Sequence, residues 1–219
     1  MTNAMKAILA VAALAIQCVC IGWLIWRYEQ VVRHGTEVRF RCEAYDPYDP
    51  LRGRYLRTTV RESCTNLLIE GEVKESWRRR ALYAKLEQGT NALWHVTAVA
   101  EAPQSDGGIW VKRERTSINH LLNWSARSRG IDESWEDFEK RRKASPLAAL
   151  VEMPDQLFVN ERLAPKAEKV LREATSAKGK GAVAVYRVKD GEIVITDIEI
   201  DGVSVVEKAK AAKGDSDAE

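Results

Sequence analysis

The chain lacks an excess of charge of either sign. Its 34 lysine and arginine residues nearly balance its 32 aspartate and glutamate residues, which leaves a formal net charge of +2. A general nucleic-acid-binding protein presents a one-sided basic surface. The balance therefore argues against nucleic acid as a partner.

Histidine and cysteine, the usual zinc ligands, are scarce: the chain has 3 histidines and 4 cysteines. None of them stands in a CxxC or a paired Cys/His spacing, so we expect no metal and no cofactor. No catalytic constellation stands out either, which makes an enzyme the less favoured class. Whether Cys42 and Cys64 form a disulfide stays open, because that depends on the compartment and on the distance between their Cβ atoms.

The longest apolar run of the chain covers residues 7–26, between Lys6 and Arg27. About twenty residues at ~1.5 Å each span ~30 Å, which matches the hydrocarbon core of a bilayer. Trp23 and Trp26 lie at its end, where amphipathic aromatic side chains favour the headgroup layer. A cleaved signal peptide would be shorter and would end in small residues, not in tryptophan. The run therefore predicts an uncleaved membrane anchor.

The charges that flank the run give conflicting indications of sidedness. Lys6 precedes the run, whereas Arg27, Arg33, Arg39 and Arg41 follow it. The positive-inside bias would keep the following domain cytoplasmic, but large domains cross the membrane largely regardless of charge. Flanking charge alone leaves the orientation open.

The rest of the chain predicts strands more often than helices. Residues 36–45 alternate between apolar and charged, as a half-buried strand does. Hairpins are expected at 82–100 and, around two Asp-Gly pairs, at 182–206. Helical patterns are expected at 66–80, 118–128, 134–143 and 165–174. The fold class is α+β: an N-terminal transmembrane helix followed by a mostly antiparallel β domain with a few helices. The predicted divisions are an anchor (1–28), a linker (29–35), a globular domain (36–206) and a disordered charged tail (207–219).

The turn between the first two strands carries a pair of carboxylates, Asp46 and Asp49. Two interpretations are open. Paired carboxylates bind cations or act as acid and base, but aspartate beside proline also caps a turn by local hydrogen bonds. The structural interpretation is favoured here. Gly53 is then expected to serve the backbone conformation, and Tyr55 to pack as a strand aromatic.

The same segment resembles a known family signature. Residues 45–60 read YDPYDPLRGRYLRTTV and are similar to the bacterial GDYXXLXY domain family, in which a D-P-x-D run precedes the motif. Five positions match that pattern: Asp46, Pro47, Asp49, Gly53 and Tyr55. The motif's aspartate, leucine and last tyrosine are replaced by Arg54, Thr58 and Val60. The order of anchor, turn, NERLAP segment (160–165) and terminal hairpin also follows the family, so the resemblance covers most of the chain.

The resemblance implies a small membrane-anchored bacterial domain of unassigned activity that often accompanies a polytopic membrane protein. We therefore expect a single-pass protein of the bacterial inner membrane with a periplasmic domain, held in the bilayer by residues 7–26. Its expected role is that of an accessory or interaction module for another membrane or envelope protein. The alternative is a ligand-binding or hydrolytic domain centred on the turn from Asp46 to Tyr55, with Arg54 beside it.

Overall fold

The computed structural model describes residues 2–44, 55–68, 81–114, 116–120, 134–176 and 181–211. A long helix opens the chain, and strands predominate after it. The helices are α1 (Asn3–His34), α2 (Trp135–Ala144), α3 (Ala164–Thr175) and α4 (Val205–Ala211). The strands are β1 (Thr36–Ala44), β2 (Tyr55–Thr59), β3 (Arg61–Cys64), β4 (Leu67–Leu68), β5 (Leu82–Gln88), β6 (Trp94–Ala100), β7 (Ile109–Arg113), β8 (Thr116–His120), β9 (Leu147–Glu152), β10 (Gln156–Phe158), β11 (Ala182–Lys189), β12 (Glu192–Ile200) and β13 (Val203–Ser204).

The strands form three sheets with orders β10-β2-β1-β11-β12-β13, β3-β9-β8 and β4-β6-β5-β7. The strand pairs are antiparallel except for β4 and β6. This arrangement confirms the predicted α+β class. Helix α3 packs on β1, β2 and β11 and buries Ala164, Ala167 and Leu171, which recur at helical spacing on one face.

The alternation predicted for β1 is confirmed. Val38, Phe40 and Cys42 point into the core, while the charged residues between them face outward. Phe40 has no exposed surface and meets the ring of Tyr186 edge to face, with 5.8 Å between the ring centroids. The Tyr186 hydroxyl donates a hydrogen bond to the Pro154 carbonyl oxygen at 2.9 Å. This pair of rings joins β1 and β11 at the centre of the large sheet.

Both predicted Asp-Gly turns are present. Asp190 and Gly191 adopt φ values of 51° and 81°, and Asp201 and Gly202 adopt 53° and 77°. Two successive residues with positive φ match the right-handed twist of a hairpin, and aspartate and glycine tolerate that conformation best. The first turn joins β11 to β12. Helix α1 contacts both of these strands, so the turn lies beside the helix.

Helix α1 continues without a break into the domain, through residues 29–34, where a linker was expected. Val31 is only 4% exposed and packs against the domain. Arg27 pairs with Glu192 at 2.5 Å. Glu192 is the first residue of β12 and directly follows the turn of the β11–β12 hairpin. Gly35 ends the helix and lies so close to β11 that an added Cβ would be 3.0 Å from the backbone nitrogen of Val188. The helix is therefore packed on the domain, not joined to it by a free segment.

The strand pairing shows which parts of the domain lie near α1. Strand β1 leaves the helix at Thr36, and Glu43 near its other end pairs with Thr59. From there β2 and then β3 run back toward the helix. Strand β2 pairs with β10 and strand β3 with β9, both antiparallel and in the same register, and the last pair is Cys64 with Ala149. In this register Leu147 lies seven residues closer to α1 than the position opposite Thr59, which is itself paired with Glu43. Thr36 also lies seven residues from Glu43, so Leu147 and Thr36 are at the same level. We call this end of the domain the α1 end, and the opposite end the far end.

Three segments differ from the helical and disordered patterns expected of them. Residues 118–120 belong to β8, because Ile118 is buried and pairs with β9. Residues 67–68 form β4, which pairs with β6. Residues 207–211 belong to α4, which is held by the buried Val205 and Ala209. In each case a tertiary contact decides the conformation, which local propensity cannot anticipate. The remainders of the two expected helices, 69–80 and 121–128, lie outside the described residues.

Candidate functional site

The turn singled out by the sequence is only partly within the described residues. Asp46, Asp49, Gly53 and Arg54 lie outside them, so the cation-binding and acid–base interpretations stay predictions. Tyr55 is the first residue of β2, and its Cα is opposite that of Phe158 in β10. Because β2 runs toward the α1 end, Tyr55 lies at the far end of the domain.

The later part of the family motif lies in the core. Along β2, Leu56, Thr58 and Val60 are buried, and the residues between them are partly exposed. Thr58 and Val60 are the positions at which the motif has leucine and its last tyrosine. Their burial shows that the side chains at these two positions pack in the interior.

An open cleft of about 600 Å³ lies at the α1 end of the domain. Its walls come from segments that are far apart in sequence, which the hairpin turns and the end of α1 bring together. The floor is apolar and aromatic, with Ile109, Trp110 and Val188, whereas the rim is polar, with His34 and Lys189. The remaining lining residues are Thr36, Tyr83, Pro103, Gln104, Gly107, Gly108, Asp190 and Gly191.

One wall of the cleft is fixed by Asp106 in the loop before β7. Its carboxylate accepts hydrogen bonds from the backbone nitrogen of Gly108 and from Trp110 Nε1, both at 3.0 Å, and pairs with Lys85 Nζ at 2.9 Å. These hydrogen bonds hold the pKa of Asp106 well below its ordinary value. The bond from Trp110 contributes most, and those from Lys85 and Gly108 contribute less. Asp106 is therefore ionised at neutral pH and positions the loop and the Trp110 ring together.

The composition of the cleft bears on what it can do chemically. A mostly apolar floor with a few polar groups at the rim is the usual composition of a recognition site. His34, His95 and His120 lie in separate places: His34 at the cleft, His95 Nδ1 at 3.3 Å from Glu62 Oε2, and His120 Nδ1 at 3.0 Å from the Ser145 carbonyl oxygen. Among the residues described above, no group of three His, Cys, Asp or Glu side chains is placed to hold a metal ion.

The sequence did not point to this cleft. Of its lining, only the glycine turns at 107–108 and 190–191 are recognisable in the sequence, and there they predict a change of chain direction and not a cleft. The residues of the floor look like ordinary strand residues. Their meeting depends on the pairing of β5 with β7 and on the packing of α1, which no short motif encodes.

Cys42 and Cys64 are both buried free thiols. Cys64 Sγ donates a hydrogen bond to the Thr97 carbonyl oxygen at 3.0 Å, and Cys42 lies in the core beside Phe40. Burial raises the pKa of both thiols, and that of Cys42 reaches about 12. These side chains belong to the core and have no place in the cleft.

The raised pKa of Cys42 predicts that the folded state loses stability in alkali. An unfolded cysteine ionises near pH ~8.5, whereas Cys42 keeps its proton until about pH 12 when folded. Between these values the unfolded chain binds fewer protons, so Cys42 alone lowers the free energy of unfolding by about 1.4 kcal/mol for each pH unit of increase. Urea unfolding at a series of pH values should show this fall, and Cys42→Ala should make it shallower. An unchanged slope in Cys42→Ala, or an equal effect of Cys18→Ala in α1, would contradict the assignment.

Comparison with known proteins identifies the family of this chain. No curated protein and no solved structure matches it. The family model described as "GDYXXLXY protein" matches residues 17–198, which run from within α1 to β12 and make up most of the chain. The resemblance seen in the motif segment thus extends over most of the α+β domain and part of the apolar helix. This chain belongs to the GDYXXLXY protein family.

Proposed function

We propose that this protein is an accessory module of the bacterial inner membrane. Helix α1 holds it in the bilayer as a single-pass anchor, and the domain lies on the periplasmic side. There its cleft at the α1 end receives a segment of another membrane protein. The envelope location and the membrane partner extend what the family resemblance implies.

The anchor is supported by the character of α1. The helix is long and apolar enough to cross a membrane, a property that it shares with signal sequences, and none of its most apolar window is buried against the domain. Large exposed apolar side chains follow one another along it, including Ile8, Val19 and Ile25. A surface of that size is unfavourable in water. The uninterrupted helical connection to the domain favours retention of the helix over its removal.

The single observation that supports the interaction role best is the position of the cleft. Arg27 directly follows the apolar run, and its pairing with Glu192 brings the tip of the β11–β12 hairpin within one side-chain contact of the end of that run. The hairpin tip is also a wall of the cleft. The cleft therefore opens where a neighbouring protein leaves the bilayer, and its apolar floor and polar rim suit a peptide segment.

Photo-crosslinking in intact cells tests this role. A photoreactive amino acid at Gln104, on the exposed loop of the cleft, should capture an integral membrane protein. The same group at Thr90 should not. Thr90 lies in the turn before β6, and β6 runs parallel to β4 toward the α1 end, so this turn is at the far end. Lys189→Glu at the rim should weaken the capture severalfold, whereas Lys169→Glu on the exposed face of α3 should leave it unchanged. Capture of lipid or of a second copy alone, or equal capture at both positions, would overturn the proposal.

The sidedness has its own test. Protease added to intact cells and to spheroplasts separates the compartments, because the outer membrane excludes the enzyme. A periplasmic domain should be degraded only in spheroplasts. Survival of the domain in spheroplasts, with degradation after lysis, would place it in the cytoplasm and would leave the anchoring itself untouched.

A further inference from the structure

Helix α2 carries an aromatic pair that the domain leaves mostly uncovered. None of the residues of the helix is buried. Trp135 is 61% exposed, and its ring lies 5.6 Å from that of the half-buried Phe138. The guanidinium of Arg141 lies over the Phe138 ring at 5.6 Å. Aromatic and arginine side chains grouped on an exposed face are typical of interaction surfaces.

The charges exposed on α2 are predominantly basic after the first turn. The Asp137 carboxylate is engaged at the helix N-cap, since Ser134 Oγ donates a hydrogen bond to Asp137 Oδ2 at 2.6 Å. Glu139 pairs with Arg142 at 2.6 Å. The side chains of Lys140, Arg141 and Lys143 are exposed. We call the set of Trp135, Phe138, Lys140, Arg141 and Lys143 the α2 patch.

The α2 patch lies at the α1 end of the domain. Helix α2 ends at Ala144 and is followed within three residues by β9, whose first residue, Leu147, is at the level of Thr36. The helix therefore extends beyond the end of the sheet from which α1 departs, and this accounts for the lack of buried residues in it. An anchor in α1 keeps that end of the domain next to the bilayer.

We infer that α2 is a second membrane contact, which rests on the lipid surface beside the anchor. The bilayer surface is favoured over a protein because two features coincide: tryptophan prefers the headgroup layer, and exposed lysine and arginine are attracted to anionic lipid. Binding at the interface grows with the apolar area that enters it and with the attraction of basic residues to anionic lipid. The inference rests on the anchoring part of the proposed function and does not depend on the membrane partner.

The contact is testable with the full chain reconstituted into vesicles of phosphatidylglycerol and phosphatidylcholine. Cys18 and Cys20 are first replaced by alanine, because both are exposed, and Trp135→Cys is labelled with the small apolar fluorophore bimane. A second sample carries the label at Thr90→Cys, at the far end. Brominated lipids, which quench only on contact, should quench the label at position 135 at least about threefold more than the label at position 90.

The basic residues should be needed for this contact. Lys140→Gln, Arg141→Gln and Lys143→Gln together should lower the quenching at position 135 to that at position 90, while Glu136→Gln should not lower it. Replacement of phosphatidylglycerol by phosphatidylcholine should weaken it severalfold. A failure of anchoring would appear separately, as loss of the protein from floated vesicles. Equal quenching at positions 135 and 90 in protein that floats and melts normally would overturn the inference, as would quenching that requires an added membrane protein.

Discussion

Replacement of Phe40 by alanine is expected to remove much of the stability of the domain. The ring is fully buried and packs edge to face on Tyr186. Truncation of a buried phenylalanine costs about 3–5 kcal/mol, because apolar burial is lost and a cavity remains. Domains of this kind are stable by only about 5–15 kcal/mol. The thermal midpoint, followed by near-ultraviolet circular dichroism in mild detergent, should fall by about 10 °C or more.

Phe158→Ala is the matched control. The chemical change is the same, but Phe158 is 75% exposed at the edge of the large sheet. Its truncation should change the free energy of unfolding by less than about 1 kcal/mol. Equal losses in the two variants would show that the sheet does not have its core between β1 and α3. A small loss in both would mean that the Phe40 site collapses without a cavity.

Gly35→Ala is expected to loosen the joint between α1 and the domain. A Cβ at this position would lie 2.4 Å from the Val31 carbonyl oxygen and 3.1 Å from Arg187 Cβ. The oxygen is a backbone atom and is also the acceptor of the Gly35 N–H at 2.9 Å, so the helix end itself must move. Overpacking of this kind costs about 1–3 kcal/mol. The thermal midpoint of the domain should fall accordingly.

A second readout separates loosening of the joint from general destabilisation. With Cys18 and Cys20 replaced by alanine, cysteines in place of Arg27 and Glu192, whose charged ends are in contact in the folded chain, should be joined by a short bismaleimide crosslinker, and several times less in Gly35→Ala. Gly22→Ala is the matched control, because nothing lies within 4 Å of an added Cβ there. Unchanged crosslinking in Gly35→Ala would show that the helix docks through Val31 without a close approach at Gly35.

The sequence predicts best the elements in which local chemistry and tertiary packing agree. The alternation of Val38, Phe40 and Cys42 with charged residues specified both a strand and its inner face. The Asp-Gly pairs at 190–191 and 201–202 specified the final hairpins, because few other residues tolerate two positive φ values in succession.

Prediction was weakest where a distant contact decides. The polar and apolar order of residues 116–120 is compatible with a helix, and only pairing with β9 makes it a strand. The cleft could not be foreseen for the same reason, since His34, Trp110 and Lys189 meet only after α1 has packed on the sheet. The turn from Asp46 to Arg54 remains the site that the sequence proposes and the described residues do not reach.

The end of α1 determines how far the domain can move away from the membrane. A domain on a flexible linker samples a wide volume above the bilayer, and the radius of that volume grows with the length of the linker. Here the helix continues as far as the buried Val31, so in the anchored arrangement proposed above this helix fixes the distance of the domain from the bilayer. Under that proposal, a membrane partner reaches the domain by diffusion in the plane of the membrane and presents its binding segment within a few residues of the lipid.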